Sequence, residues 1–287
     1  MKPPPFAYAR VDSVDEAVAV LGDAGEDVKL LAGGQSLLPA MNFRLVRPRR
    51  LLDVGRVREL DYLTFDGREA RIGALRRHSA LVQDTGLRGP WTALREAAAC
   101  VGNVPVRNRG TFGGSVAHAD PAAELAVVAV TFEAKIVARS TTGERKIDAS
   151  DFFVGPFTTA LDPTELVTEI VFATPASGVA SVFEEMAPRI GDYALASVCA
   201  AVTIDDGRVS FARIGLGSVD ATPIRARLAE QVLTGRPLDT DAIGEAARSA
   251  ARECDPGSDV HASAGYRRTL VAILVERALL RLRGLDS

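Results

Sequence analysis

The stretch LLAGGQS, residues 30–36, places two adjacent glycines between an apolar run and the polar pair Gln35 and Ser36. A second stretch, TFGGSVAHADPAAEL at residues 111–125, repeats this pattern. Glycine permits positive φ and carries no Cβ, so a ligand can approach the backbone, where successive N–H groups form an anion-binding nest. Two such loops in one chain predict a site for a phosphate-containing ligand.

A dinucleotide diphosphate suits these loops, because each hydrogen bond to a charged group contributes about 1.5–3 kcal/mol. Four to six convergent donors would hold it without a bound metal ion. The hydroxyls of Ser36, Thr111 and Ser115 add to the backbone amides. The common phosphate fingerprints are absent: the chain has no Gly-x-x-x-x-Gly-Lys-Ser/Thr, and neither loop completes Gly-x-Gly-x-x-Gly. This disfavours P-loop enzymes and Rossmann dehydrogenases.

The composition is that of an ordinary globular protein. The chain has 287 residues, of which 47% are hydrophobic and 25% charged, and its formal net charge is −3. This length favours two domains. The charge balance gives no reason to expect nucleic acid or an anionic membrane as a partner, since such proteins carry a basic face.

Cys100, Cys199 and Cys254 are far apart and form no Cys-x-x-Cys pair. We therefore expect no iron–sulfur cluster and no zinc site on this chain. A small and odd number of cysteines fits a reducing compartment. The N-terminal residues lack the apolar core of a signal peptide, and no run approaches eighteen apolar residues. These features predict a cytoplasmic protein without an integral membrane segment.

Hydrophobic patterns and turn residues predict the order of helices and strands. Asp120 is a suitable N-cap and Pro121 a suitable first residue, so a helix is predicted from there to about Val130. Residues 104–110 are expected to form a loop. The other predicted helices cover 13–25, 91–102, 240–253 and 263–283, and the predicted strands cover 28–32, 51–55, the flanks of Asp66-Gly67 and Thr142-Gly143, 164–172, 181–187, 194–204 and 208–217.

Residues 175–181, PASGVAS, are the best candidate for a linker, because they are small and include a proline and a glycine. We therefore predict two domains, residues 1–176 and 177–287. Each part is predicted to contain both strands and helices, so the expected fold class is α+β.

Three motifs carry a family resemblance: AGGQS at 32–36, RNRGTFGGSVAHADPAAEL at 107–125 and RIGDYALAS at 189–197. They resemble the FAD-binding medium subunit of the molybdenum hydroxylases, a family that includes flavoprotein subunits of aerobic carbon monoxide dehydrogenase and nicotine dehydrogenase and the middle domain of xanthine dehydrogenase. The resemblance covers essentially the whole chain. It implies a two-part PCMH-type FAD-binding domain, then a three-stranded antiparallel sheet with a helical bundle, as at the C-terminus of the carbon monoxide dehydrogenase flavoprotein.

The resemblance also implies site residues. Residues 32–36 and 111–115 would bind the FAD diphosphate from two sides, Glu124 would lie near the ribityl or ribose hydroxyls, and Tyr193 near the isoalloxazine. Leu166 would offer a backbone contact. The full set of expected FAD-binding residues is Ala32, Gly33, Gly34, Gln35, Ser36, Leu37, Val101, Thr111, Gly113, Gly114, Ser115, His118, Asp120, Glu124, Leu166 and Tyr193. No residue is expected to be catalytic or to bind a metal.

By the same resemblance, the chain holds noncovalent FAD, while a molybdenum cofactor resides on a large partner subunit and two [2Fe-2S] clusters on a small one. Electrons would pass through the clusters to FAD and on to quinone, NAD or another acceptor. The heterotrimer would be doubled into an (αβγ)2 assembly. Carbon monoxide, an N-heteroaromatic compound, a purine and an aldehyde all stay open as substrate.

Two features leave alternatives open. Several relatives have a lysine shortly before the Arg-x-Gly-Asp-Tyr motif, whereas this chain has Glu184 and Glu185. A carboxylate facing the flavin would disfavour its reduced, anionic form. His118 either reaches the flavin or a partner, or packs within the fold. The competing functions are a self-contained flavin oxidoreductase with its own substrate pocket and a non-enzymatic nucleotide-binding module.

Overall fold

The computed structural model describes residues 2–24 and 27–285. Its strands are β1 (Ala7–Arg10), β2 (Val28–Leu31), β3 (Arg50–Asp53), β4 (Leu63–Phe65), β5 (Glu69–Gly73), β6 (Lys135–Ser140), β7 (Gly143–Asp148), β8 (Phe153–Gly155), β9 (Thr158–Thr159), β10 (Leu166–Ala173), β11 (Ala180–Met186), β12 (Ala196–Asp205), β13 (Arg208–Gly217) and β14 (Ile224–Arg225). Its α-helices are α1 (Val14–Ala24), α2 (Leu37–Asn42), α3 (His78–Gln83), α4 (Thr92–Cys100), α5 (Val104–Arg109), α6 (Phe112–His118), α7 (Glu124–Thr131), α8 (Ala149–Phe152), α9 (Arg227–Leu233), α10 (Thr240–Glu253) and α11 (Ala264–Leu285).

The N-terminal part begins with a small parallel sheet in the order β1-β3-β2. Helix α1 starts after Ser13, whose Oγ accepts a hydrogen bond from the amide of Glu16 at 3.2 Å. Its apolar face, which includes Ala17 and Leu21, packs in one core with Leu52 of β3. The first glycine loop follows β2 directly, so this sheet fixes where that loop begins.

The second sheet is antiparallel and has the order β4-β5-β10-β6-β7. The central strand, β10, is buried from Leu166 to Phe172. Ala74, just after β5, donates its amide hydrogen to the carbonyl of Thr168 at 2.9 Å. This bond fixes the segment on which the second glycine stretch rests.

The third sheet has the order β11-β12-β13-β14, with antiparallel pairing throughout. Side chains of β12 alternate between two cores: Val198 and Ala200 lie in the core with α10 and α11, whereas Cys199 and Ala201 lie in the core with α4 and α7. A strand covered on both faces needs apolar residues at every position. This explains why residues 194–204 are apolar except for Ser197 and Thr203.

The α+β fold class and the mixed order of helices and strands are confirmed. The sheet of the C-terminal part has one more strand than the three predicted, because Ile224 and Arg225 pair with Leu216 and Gly215. Two residues are too few to give a strand pattern in the sequence.

Two predictions around the second glycine stretch are wrong. Helix α7 begins at Glu124 and not at Pro121, because the Asp120 carboxylate accepts the amide of Ala122 at 2.9 Å and closes a turn instead. Residues 104–109 form helix α5 and not a loop; the side chain of Asn103 caps it by accepting the amide of Val106. Tertiary packing and local capping decide both segments.

Helix α7 packs on β13 at a position where only glycine fits. A Cβ on Gly217 would lie 2.6 Å from Oγ of Ser197 and would overlap the side chain of Val127. Helix α7, in the N-terminal part of the chain, therefore packs directly on the backbone of β13 in the third sheet.

We predict that Gly217→Ala destabilises the protein by about 1–3 kcal/mol, since overpacking forces neighbouring groups to move. Thermal unfolding followed by circular dichroism should show a midpoint several degrees lower. Gly257→Ala is the matched control, because a Cβ there meets no atom within 4 Å. Equal midpoints for the two variants would contradict the close packing of α7 on β13.

Candidate functional site

The first glycine loop connects β2 to α2. Gly34 has a φ of +73°, a conformation that L-residues rarely adopt. The side-chain amide of Gln35 donates to the carbonyl of Gly33 at 3.1 Å. Within the described part of the chain, none of the backbone amides of residues 33–37 donates to an acceptor. Five successive N–H groups are thus available to an anionic ligand.

The second glycine stretch is the first turn of helix α6 and not an open loop. Thr111 caps this helix, and its Oγ1 accepts the amide of Gly114 at 3.2 Å. The amides of Phe112 and Gly113 donate to the carbonyls of Arg76 and Ala74, and that of Ser115 donates to the carbonyl of Thr111. These amides are therefore already used within the protein, unlike those of the first loop.

The structure brings the two stretches together at a crossing of their backbones. A Cβ on Gly33 would overlap the carbonyl oxygen of Arg109 and lie 2.8 Å from Cα of Gly110. A Cβ on Gly114 would lie 3.9 Å from Cβ of Ala32. Sequence separation between the stretches is about eighty residues, yet their backbones are in contact.

Two groups that sequence reasoning missed hold this crossing. The guanidinium of Arg77 donates to the carbonyl oxygen of Arg109, on which Gly33 rests. His78 is 3% exposed, and its amide donates to the carbonyl of Gly110 at 3.2 Å. Burial and the charges of Arg77 and Arg107 lower the pKa of His78 to about 4, so its ring is neutral. A lone Arg-Arg-His run gives no sequence signal for this role.

Val101 lies at the end of α4, where the chain turns toward α5. The guanidinium of Arg107 donates to the carbonyls of Val101 at 3.1 Å and Gly102 at 2.7 Å. Gly191, in the loop between β11 and β12, packs against the carbonyl of Gly102. This contact places the loop that carries Tyr193, whose side chain is 71% exposed, beside the end of α4.

His118, Asp120 and Glu124 lie along the turn between α6 and α7. The ring of His118 lies 5.2 Å from that of Phe157, centroid to centroid, and burial lowers its pKa. Burial, together with the negative charges of Glu185 and Asp120, raises the pKa of Glu124 to about 8. Partial desolvation of its hydroxyl raises the pKa of Tyr193, and the negative charges of Asp120 and Glu124 act in the same direction. Glu124, Asp120 and Tyr193 therefore share one region.

The side chain of Leu166 lies in a core and not at the crossing. It begins β10 and is buried in the core of α1 together with Leu60 and Leu75. Its backbone pairs with Arg139 of β6, and the backbone contact to FAD that the family resemblance implied stays a prediction.

Each glycine stretch also carries a serine hydroxyl. Ser36 and Ser115 are both half-buried, and neither hydroxyl has a hydrogen-bond partner in the described residues. Free amides, free hydroxyls and a backbone without Cβ atoms form a cradle suited to the diphosphate of a dinucleotide. The residues present therefore fit FAD.

Residues 2–24 and 27–285 offer neither a metal site nor a membrane-spanning helix. They contain no group of three or more His, Cys, Asp and Glu side chains placed to hold a metal ion. No helix among them is both long and apolar enough to cross a membrane.

Comparisons with known proteins identify two domain families in this chain. The family model for the FAD binding domain in molybdopterin dehydrogenase matches residues 4–175. The model for the CO dehydrogenase flavoprotein C-terminal domain matches residues 181–282.

Individual relatives match over nearly their full length. The chain is 41% identical to the 6-hydroxypseudooxynicotine dehydrogenase complex subunit alpha of Paenarthrobacter nicotinovorans, over 98% of this chain and 95% of that protein. It is 36% identical to the carbon monoxide dehydrogenase medium chain of Hydrogenophaga pseudoflava, over 97% of each. A structure of reconstituted CO dehydrogenase from Oligotropha carboxidovorans matches with a TM-score of 0.96 at 33% identity, over 99% of each chain.

The expected family is thereby confirmed. The chain belongs to the FAD-binding medium subunits of the molybdenum hydroxylases and is the FAD-carrying, electron-transferring subunit of an oxidoreductase.

Proposed function

We propose that the amides of residues 33–37 are the main ligands of the FAD diphosphate. The observation that carries this proposal is their freedom from protein acceptors, in contrast to the amides of residues 112–115. At about 1.5–3 kcal/mol per hydrogen bond to a charged group, the first loop supplies most of the binding free energy. The hydroxyls of Ser36 and Ser115 add donors from both sides, and Thr111, Gly113 and Gly114 shape the opposite wall.

The remaining expected residues would position the rest of the cofactor. Tyr193 presents an exposed ring, and a flat apolar ring can lie against one face of the isoalloxazine. The carboxyl of Glu124 suits vicinal hydroxyls, since an uncharged carboxyl both donates and accepts a hydrogen bond. Other proposed contacts to FAD come from Ala32, Gln35, Leu37, Val101, His118, Asp120 and the backbone of Leu166.

We further propose that this chain assembles with a large molybdenum-cofactor subunit and a small iron–sulfur subunit in an (αβγ)2 complex. The near-complete coverage of relatives that are themselves named as subunits or medium chains supports this assembly. When bound, FAD would supply one-electron and two-electron transfer chemistry. Residues of this chain bind and orient the cofactor, and substrate contacts belong to the large subunit.

The three cysteines support a reducing, cytoplasmic location, which we also propose. Cys100, Cys199 and Cys254 are free thiols, and burial raises the pKa of each. Thiols with raised pKa values are poorly suited to bind a metal as thiolates. The iron of the complex should therefore reside entirely on another subunit.

Gly34→Ala should weaken FAD binding at least tenfold, because the Cβ is strained at a φ of +73° and shifts the free amides. FAD titration of the purified complex, followed by flavin fluorescence, measures this change. Gly67→Ala is the matched control: its φ is +83°, and a Cβ there meets open space. Both variants place a Cβ at positive φ, and Gly34→Ala also presses it against Leu31 and Leu38. Unchanged FAD affinity in Gly34→Ala would disprove the role of the first loop.

Replacement of Cys100, Cys199 and Cys254 together by alanine should leave the iron content of the complex unchanged. Metal analysis of the purified assembly, with the unsubstituted complex as reference, gives the answer directly. A loss of about two iron atoms per chain would show that a cluster depends on these thiols and would overturn the proposed division of cofactors.

A further inference from the structure

Glu184 and Glu185 are neighbours on β11 but point to opposite faces of the sheet, as strand geometry requires. Glu184 faces α11, where Arg277 binds it at 3.0 Å and Arg281 at 2.6 Å. Arg281 also binds Glu96 of α4 at 2.6 Å. The charge of Glu184 is therefore fully compensated.

Glu185 has the opposite environment. Its Oε2 is buried and has no hydrogen-bond partner in the described residues. The group beside it is the thiol of Cys100, at the end of α4. Among the residues that the structure describes, no arginine or lysine pairs with this carboxyl.

Glu124 lies on the other side of the same region. It is 9% exposed in the first turn of α7, and α4 packs against both α7 and β11. It likewise has no ion-pair partner within residues 2–24 and 27–285. Buried Glu124 and half-buried Glu185, both without a cation partner, thus lie near the end of α4 that carries Cys100.

The titratable groups around this pair are acidic or neutral. They are Glu96 and Cys100 from α4, Asp120 from the turn before α7 and Tyr193 from the loop after β11. Arg277 and Arg281 are held by Glu184 and Glu96, and the guanidinium of Arg107 is held by the carbonyls of Val101 and Gly102 at the end of α4. Burial raises the pKa of Glu185 to about 7, and that of Glu124 is about 8.

We propose that Glu124 and Glu185 form a proton-holding pair of the FAD site, which takes up a proton when the cofactor binds. The proposal rests on the proposed placement of FAD, since it needs the cofactor beside Glu124. FAD brings the negative charge of its diphosphate and removes water from the cleft. Both changes favour the uncharged form of a carboxyl. The proton comes from the solvent and forms an O–H bond on one carboxyl; no electron is transferred in this step.

The direction in which FAD affinity changes with pH follows from the proton that is taken up on binding. Because binding takes up a proton, FAD affinity is highest where the pair is already protonated and falls as the pH rises through about 7 to 8. Stability follows the same direction: both folded-state pKa values lie above the unfolded value of 4.5. The stabilisation is therefore complete below that value and is lost as the pH rises through the folded pKa values.

The test compares the wild-type complex, stripped of FAD, with the isosteric double variant E124Q/E185Q. Isothermal titration with FAD at pH 6.5 and 8.5, in buffers of different ionisation enthalpy, measures affinity and proton uptake together. In the wild type we expect the dissociation constant to rise about tenfold between these pH values, with uptake of up to one proton. The double variant should change less than about twofold and take up no proton.

E144Q is the matched control, because Glu144 is an exposed carboxyl on β7 and its removal should leave the pH dependence unchanged. A double variant that keeps the wild-type pH dependence would overturn the proposal, as would proton release on FAD binding.

Stability of the FAD-free complex at the same two pH values gives a second readout that needs no cofactor. We expect this stability to fall less with pH in the double variant, and a fall equal to that of the wild type would overturn the proton-holding role of the pair. Failure of the wild type to bind FAD at either pH would instead overturn the proposed function.

Discussion

The backbone of Gly33 rests on the carbonyl of Arg109 with no side chain between them, and the cofactor cradle depends on this contact. Gly33 belongs to the loop after β2, and Arg109 ends helix α5 just before α6. The guanidinium of Arg77 donates a hydrogen bond to the same carbonyl. Any Cβ at this position would separate the two walls of the site, so the spacing of the cradle is set by van der Waals contact and not by a flexible loop.

The absence of a Cβ also sets the contact between the N-terminal part and the third sheet. Gly217 lets α7 approach β13, and the two faces of β12 contribute to different cores. The same alternation on β11 gives adjacent glutamates opposite environments: Glu184 is neutralised by arginines, whereas Glu185 faces Cys100. A sheet buried on both faces thus gives two adjacent carboxyls of one strand different electrostatic surroundings.

Sequence reasoning predicted most strands, because alternation and hairpin turns such as Asp66-Gly67 are local signals. It also identified both glycine stretches and the family. It placed the start of α7 wrongly, since the turn at Asp120 competes with an N-cap that uses the same side chain. The roles of Arg77 and His78 depend on contacts to residues more than thirty positions away, which no local pattern contains.

The surroundings of Glu184 and Glu185, where several relatives have a lysine nearby, also could not be predicted from the sequence alone. From the sequence, both carboxylates were candidates to face the flavin. The strand register separates them, and only Glu185 lies on the side of α4 and α7. Its effect on the cofactor then depends on its protonation, which burial controls and which the residue type alone does not reveal.

The central claim is that this chain carries the FAD of its complex, noncovalently and without iron of its own. The most direct test is the cofactor content of the separated subunits. The co-expressed complex would be purified and dissociated under mild conditions, and flavin and iron would then be measured on each chain. The account predicts about one FAD on this chain, released intact by denaturation, and iron only on another subunit. Iron on this chain, or an intact complex that contains no FAD, would contradict it.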